Sequence, residues 1–180
     1  GALACAAAIA AVEAAFGLEL EPEWLTAAFA GVDVSLGAQR LVPHRFPNGL
    51  AAIDDTYNAN PASMGASIRA AAEMAGATGR RLVLVLGELR ELGPAAARGH
   101  DAVGEAAAAS GAALVVAVGG GEARRIADRA QAAGVDARHI AEIDDAVSAV
   151  TEALEANDLL LVKASRSVGA DRIVAALGPR

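Results

Sequence analysis

A chain of 180 residues with 54% hydrophobic content can bury one sizeable core. Its formal net charge of −7 excludes the broad basic surface that general nucleic-acid or acidic-membrane binding needs. Cys5 is the only cysteine, which rules out an intrachain disulfide and points to a reducing, cytoplasmic setting. No Cys/His cluster has metal-ligand spacing, so no metal ligands are expected.

In chain order, residues 2–16 read as an alanine-rich helix closed by Gly17. This apolar opening lacks a basic leader, carries Glu13 and falls short of the roughly 20 residues of a membrane span. It therefore reads as an internal helix of a longer protein, with no membrane insertion. A second helix is expected from about Pro22 to Gly31, with Trp24, Leu25 and Phe29 as its apolar side. Residues 31–49 mix glycine, proline and charge and read as a connector, with a domain boundary at about 48/49.

From residue 50 short apolar runs alternate with helical stretches. Strands are expected near 50–54, 82–86, 113–118 and 159–163, with a weaker one near 138–141. Helices are expected near 62–75, 94–109, 121–133, 143–156 and 168–177. Leu82–Leu86 and Leu114–Val118 are continuously apolar, as strands covered on both faces must be. The fold class is therefore α/β: a Rossmann-like, mainly parallel sheet with helices on both faces, preceded by a short helical segment. Ligands of such sheets sit beyond the carboxyl ends of the strands. That rule selects Asp54–Asn60, Gly87–Gly93, Gly119–Glu122 and Lys163–Ser167.

The densest of these loops is Ile53-Asp54-Asp55-Thr56-Tyr57-Asn58-Ala59-Asn60-Pro61. A carboxylate at a strand end, here Asp55, can accept hydrogen bonds from both hydroxyls of a ribose, or cap the following helix. Asp54 points the opposite way by strand alternation and reads as structural. Tyr57, Asn58 and Asn60 offer a ring and amides suited to an adenine edge or a peptide, or to a self-bonded turn. Lys163, Ser165, Arg166 and Ser167 precede the last helix, where a cation and free N–H groups favour an anion. His100, on an alanine-rich helix, reads as a bracing residue. Gly119-Gly120-Gly121-Glu122-Ala123-Arg124 fits G-x-G but places arginine where a third small residue belongs, and reads as a tight turn rather than a dinucleotide fingerprint. Lys163 is the only lysine and no phosphate loop precedes it.

Four ordered segments resemble the Mur ligase family: Asp54–Pro61 with Ser63-Met64; Val85-Leu86-Gly87-Glu88-Leu89-Arg90-Glu91-Leu92-Gly93; His100 with Val103-Gly104; and Leu161-Val162-Lys163-Ala164-Ser165-Arg166-Ser167. The departures are Glu88 where the family has Asp and Ala164 where it has Gly. The second questions a tight backbone approach at that turn. The resemblance implies an ATP-dependent amide ligase of three domains. Residues 1–48 would be the tail of its central ATPase domain and 49–180 its C-terminal domain, with the N-terminal and remaining central domains missing. The implied substrates are UDP-MurNAc-tripeptide and D-alanyl-D-alanine, with ATP and Mg²⁺ held mainly by the missing central domain. The implied ATP contacts are Asp55, Tyr57, Asn58, Asn60 and Arg40, fifteen residues before Asp55, with Arg45 as the alternative. The implied acceptor contacts are Lys163, Ser165, Arg166 and Glu88. Another Mur-type amino-acid ligase, a nicotinamide-dependent enzyme and a non-catalytic nucleotide-binding module remain open readings.

Overall fold

The continuous apolar runs form the middle of one six-stranded sheet. The structure, a computed structural model, describes residues 39–178. The helices expected over 2–16 and 22–31 lie outside the described residues. In chain order the elements are β1 (Val42–Arg45), β2 (Ala51–Asp55), α1 (Pro61–Thr78), β3 (Leu82–Gly87), α2 (Ala96–Ala108), β4 (Leu114–Val118), α3 (Arg124–Ala132), β5 (Ala137–Ile140), α4 (Ile143–Ala153), β6 (Leu159–Lys163) and α5 (Asp171–Ala176). The sheet order is β1-β2-β6-β3-β4-β5, with β1 antiparallel and every other pairing parallel.

Strand alternation divides the core into two layers. Leu82, Leu84 and Leu86 of β3, Val115 and Ala117 of β4, and Leu159 and Leu161 of β6 pack against α1, α2 and α3, through Met64, Ile68, Val103, Ile126 and Ala130. Val83 and Val85, Val116 and Val118, and Leu160 and Val162 face α4 and α5, through Ala146, Val150, Ile173 and Val174. The alanine content of α1, α2 and α3 keeps these helices close to the sheet and to one another.

Two expectations need correction. Part of the expected connector is strand β1, with Val42 opposite Asp54 and Arg45 opposite Ala51. Pro43 hid it, since proline reads against a strand but is tolerated on an edge, where its missing N–H breaks no inner ladder. The helix expected straight after Ser167 begins only at Asp171; a 3₁₀ turn at Arg166–Val168 and Gly169, at φ 72°, intervene. A 3₁₀ turn at Gly93–Ala95 likewise precedes α2.

The questioned turn at Ala164 has a physical resolution. Ala164 is not among the residues with positive φ, so its backbone does not require glycine. The crowding lies across the β6–β3 boundary instead. A Cβ added at Gly87 would lie 3.0 Å from Ala164 Cα, closer still to Ala164 Cβ, and 3.4 Å from Val168 Cγ1. Ala164 is fully buried, so neither strand end can swing out to relieve the clash. Gly87→Ala should destabilise the protein by about 1–3 kcal/mol, and introducing Ala164→Gly into that variant should recover a large part of the loss. A four-member cycle of denaturant unfolding reads the coupling, and additive effects would show that the two positions do not share this space.

Asp101 of α2 accepts hydrogen bonds from Arg125 Nε (3.0 Å), Arg125 Nη2 (2.8 Å) and Arg129 Nη2 (3.0 Å) of α3, joining the two helices. The bonds from Arg129 and Arg125 hold its carboxyl well below the usual carboxylate range. A depressed folded-state pKa gives stability that is fully present above the unfolded value of about 3.9 and lost as pH falls through the folded value. Asp101→Asn should therefore melt at a lower temperature than the wild type at pH 7. The gap should narrow below about pH 4, where the carboxylate of the unfolded wild type protonates while the folded one still holds its charge. Thermal melts across that range check it.

Candidate functional site at the carboxyl ends of β2 and β6

β6 lies between β2 and β3, which places the last residues of β2 and β6, Asp55 and Lys163, side by side in register. Lys163 Nζ donates to Asp55 Oδ2 at 2.6 Å, and the two side chains are 3% and 10% exposed. Ser67 Oγ of α1 donates to the same oxygen at 2.9 Å. Asp55 Oδ1 has no hydrogen-bond partner among the described residues. Lys163 Nζ also donates to the Asn58 carbonyl at 3.1 Å, tying the middle of the loop to the strand end. Asp54 points to the other face, where its Oδ1 accepts from the Thr56 amide (3.2 Å) and hydroxyl (2.6 Å). That Asx turn ends β2 and bends the chain into the loop.

Around this pair the loop is closely prescribed. The Asn60 side chain accepts from the Ser63 N–H at 2.8 Å, while Ser63 Oγ accepts from the Asn60 N–H at 3.1 Å. This capping box, with Pro61 at the first helical position, fixes where α1 begins. Asn58 Oδ1 accepts from the Ala59 N–H at 2.8 Å. The Tyr57 amide donates to the Gln39 carbonyl at 3.0 Å, and the Arg40 guanidinium stacks 4.1 Å from the centre of the Tyr57 ring. Tyr57 is 40% exposed, so this cation–π pair is accessible, two residues along the loop from Asp55. Arg45 sits opposite Ala51, at the other end of β2, and is not part of the cluster.

The loop after β3 lies next to β6 and is braced from two sides. Glu88 Oε2 accepts from the Gly120 N–H at 3.3 Å and pairs with Arg90 at 3.0 Å. A Cβ on Gly119, at φ 125°, would lie 2.8 Å from Glu88 Cβ, which is why the turn after β4 needs glycine there. His139 Nε2 holds the same turn through the carbonyls of Gly119 (2.9 Å) and Gly120 (3.1 Å). His100 is fully buried; its Nε2 accepts from the Leu89 N–H at 3.0 Å and its Nδ1 faces the Ala96 carbonyl at 2.7 Å. A nitrogen that meets an N–H must accept and one that meets a carbonyl must donate, so the ring proton sits on Nδ1 and both positions are committed to bracing. Ser165 is buried without a capping bond, and Arg166 is exposed.

The structure brings some of the expected site residues together and engages others elsewhere, while no side-chain hydrogen bond or ion pair among the described residues joins Ser165 or Arg166 to the cluster. Asp55, Lys163 and the Asn58 carbonyl are bonded together, and Arg40 and Tyr57 are stacked on each other. Asn60 is engaged in its helix cap, and Glu88 joins the β3 and β4 loops. Sequence reasoning missed Ser67. The available signal was a serine inside the buried stripe Met64–Ser67–Ile68–Ala71–Ala75 of α1, where a polar side chain needs a partner. Among the described residues no group of three or more His, Cys, Asp or Glu side chains could hold a metal ion, and no helix is long and apolar enough to cross a membrane.

The family model described as Mur ligase, glutamate ligase domain, matches residues 39–166, which contain every group named above. Over 136 residues the chain is 35% identical to the UDP-N-acetylmuramoyl-tripeptide–D-alanyl-D-alanine ligase of Mycobacterium leprae, covering 68% of this chain and 26% of that protein. It is 34% identical over 140 residues to the enzyme of the same name from Escherichia coli K12, covering 77% of this chain and 29% of that one. The chain therefore spans under a third of the length of these relatives. A crystal structure of MurF from Acinetobacter baumannii superposes with a TM-score of 0.68 at 26% identity, over 93% of this chain and 35% of that one. MurF from Thermotoga maritima in complex with ADP, at 21% identity and a TM-score of 0.64 over 93% of this chain and 35% of that one, shares the fold. The family match over residues 39–166 and the relatives at 34–35% identity agree: the chain belongs to the Mur ligase family, whose glutamate ligase domain it contains.

Proposed function

We propose that this chain is the C-terminal part of an ATP-dependent ligase that joins D-alanyl-D-alanine to UDP-MurNAc-tripeptide, acting in the cytoplasm during peptidoglycan synthesis. The reading rests above all on one observation: Asp55 is held by one oxygen and open at the other, at the head of the loop whose Tyr57 carries the exposed Arg40 stack. The names of the relatives supply the substrates. In this reading the residues ahead of the matched domain, which begins at residue 39, end the central domain, and the central domain holds the phosphates and Mg²⁺.

Bound ATP would supply the phosphoryl group that activates the tripeptide's terminal carboxylate for attack by the dipeptide's amine. The residues of this chain would orient and enclose. Asp55 Oδ1 accepts from a ribose hydroxyl. Arg40, always charged and carried on an aromatic wall, meets phosphate oxygens. Tyr57, Asn58 and the free amide nitrogen of Asn60 flank the nucleotide. Glu88, Ser165 and Arg166, at the ends of the adjacent strands β3 and β6, face the dipeptide, with Arg166 as the exposed cation for its carboxylate. Closure of this domain over the central one aligns the reactants and keeps water from an intermediate that hydrolyses readily.

The test is phosphate release by the complete reading frame with ATP, Mg²⁺, UDP-MurNAc-tripeptide and D-alanyl-D-alanine, each omitted in turn. Release should need all four and yield a product heavier by one dipeptide; release indifferent to the dipeptide would refute the acceptor. Arg40→Ala should raise the KM for ATP about tenfold or more, whereas Arg45→Ala should stay within about twofold of wild type.

A further inference from the structure

We infer that Lys163 is a positioning residue for the nucleotide-binding loop and not a contact for the acceptor dipeptide. The inference rests on the ATP-dependent reading of the site and concerns which half of it this lysine serves. Its side chain is 3% exposed, and its ammonium is already engaged by Asp55 Oδ2 at 2.6 Å and the Asn58 carbonyl at 3.1 Å. Two of its three N–H donors are taken and its side chain has almost no exposed surface, so it could swing out to a substrate carboxylate only by leaving a buried one unpaired, which is costly. Held where it is, it acts on the other half of the site twice over. With Ser67 it fixes one oxygen of Asp55 and so decides the direction in which Oδ1 faces. Through the Asn58 carbonyl it also fixes the backbone directly after Tyr57, the residue that carries the Arg40 stack. One cation therefore orients the carboxylate and the aromatic wall together. The exposed cation at this strand end is Arg166.

The experiment compares Lys163→Met with the wild-type complete enzyme, by calorimetric titration of ATP and by separate KM values for ATP and for D-alanyl-D-alanine. Lys163→Met should weaken ATP binding, and raise the KM for ATP, about tenfold or more, with the KM for the dipeptide within about twofold. If Lys163→Met does not fold, Lys163→Gln, whose amide can still donate to Asp55, is read in its place, with the same direction and a smaller loss. Unchanged ATP affinity, or a rise confined to the dipeptide KM, overturns the assignment. A wild-type enzyme that binds ATP but ignores the dipeptide sinks the ligase reading alone, because the titration still tests what Lys163 does to the nucleotide.

Discussion

A charged side chain buried beside the middle of a parallel sheet has to be paired, and β6 meets that constraint at both of its ends. Asp158, immediately before the strand and 1% exposed, receives a two-pronged contact from Arg81, just ahead of β3, at 2.9 and 2.7 Å. Lys163, the last residue of the strand, pairs with Asp55 at the end of β2. The two pairs join β6 to different neighbours, one on each side. A slip of one residue would carry Lys163 to the opposite face and strand both carboxylates. Such pairs add little net stability over well-packed apolar groups, but loss of one member leaves a buried charge and costs about 3–5 kcal/mol. Their effect is to specify the register, and the register brings the candidate site together.

The two ends of the sheet are built differently. At the amino-terminal end Arg80 donates to the carbonyls of Gly49, Asn157 and Asp158, and Arg81 also reaches the Ala153 carbonyl. These bonds satisfy backbone groups where loops meet, and they leave no exposed array of varied chemistry. At the carboxyl end the contacts run between side chains that keep unused capacity: the second oxygen of Asp55, the amide nitrogen of Asn60, the stacked guanidinium of Arg40. A binding surface needs groups that are held but not saturated, because orientation settled beforehand is not lost on binding.

The loops after β3 and β4 support that end without forming the cluster. Glu88 and His139 hold the Gly119–Gly120 turn from two directions, and His100 anchors Leu89 from below. A histidine with both ring nitrogens occupied is unsuited to shuttling protons, and its burial on α2 makes it part of the scaffold. The same close packing explains the two glycine positions that matter most: Gly87 makes room for Ala164, and Gly119 for Glu88.

Much of this was legible in the residues themselves. The continuous apolar runs of β3, β4 and β6 are short and rich in valine and leucine, as strands buried on both faces are, and the intervening helical stretches then point to parallel pairing. Asp55, at the junction of a strand and a polar loop, was identifiable as a strand-end carboxylate, and Asn60-Pro61-Ala62-Ser63 as a helix start. Local chemistry could not show that β6, the last strand in the chain, inserts between β2 and β3, because strand order is settled by packing among segments far apart in sequence. For that reason the sequence could not show that Lys163 pairs, buried, with a residue 108 positions away. Strand β1 was hidden because its four residues, proline among them, are too short for alternation to register, and its edge position exists only once β2 is in place. Sequence determined the elements and the candidate groups; the tertiary structure decided which of those groups face one another, since side chains at strand ends acquire neighbours only when the sheet is ordered.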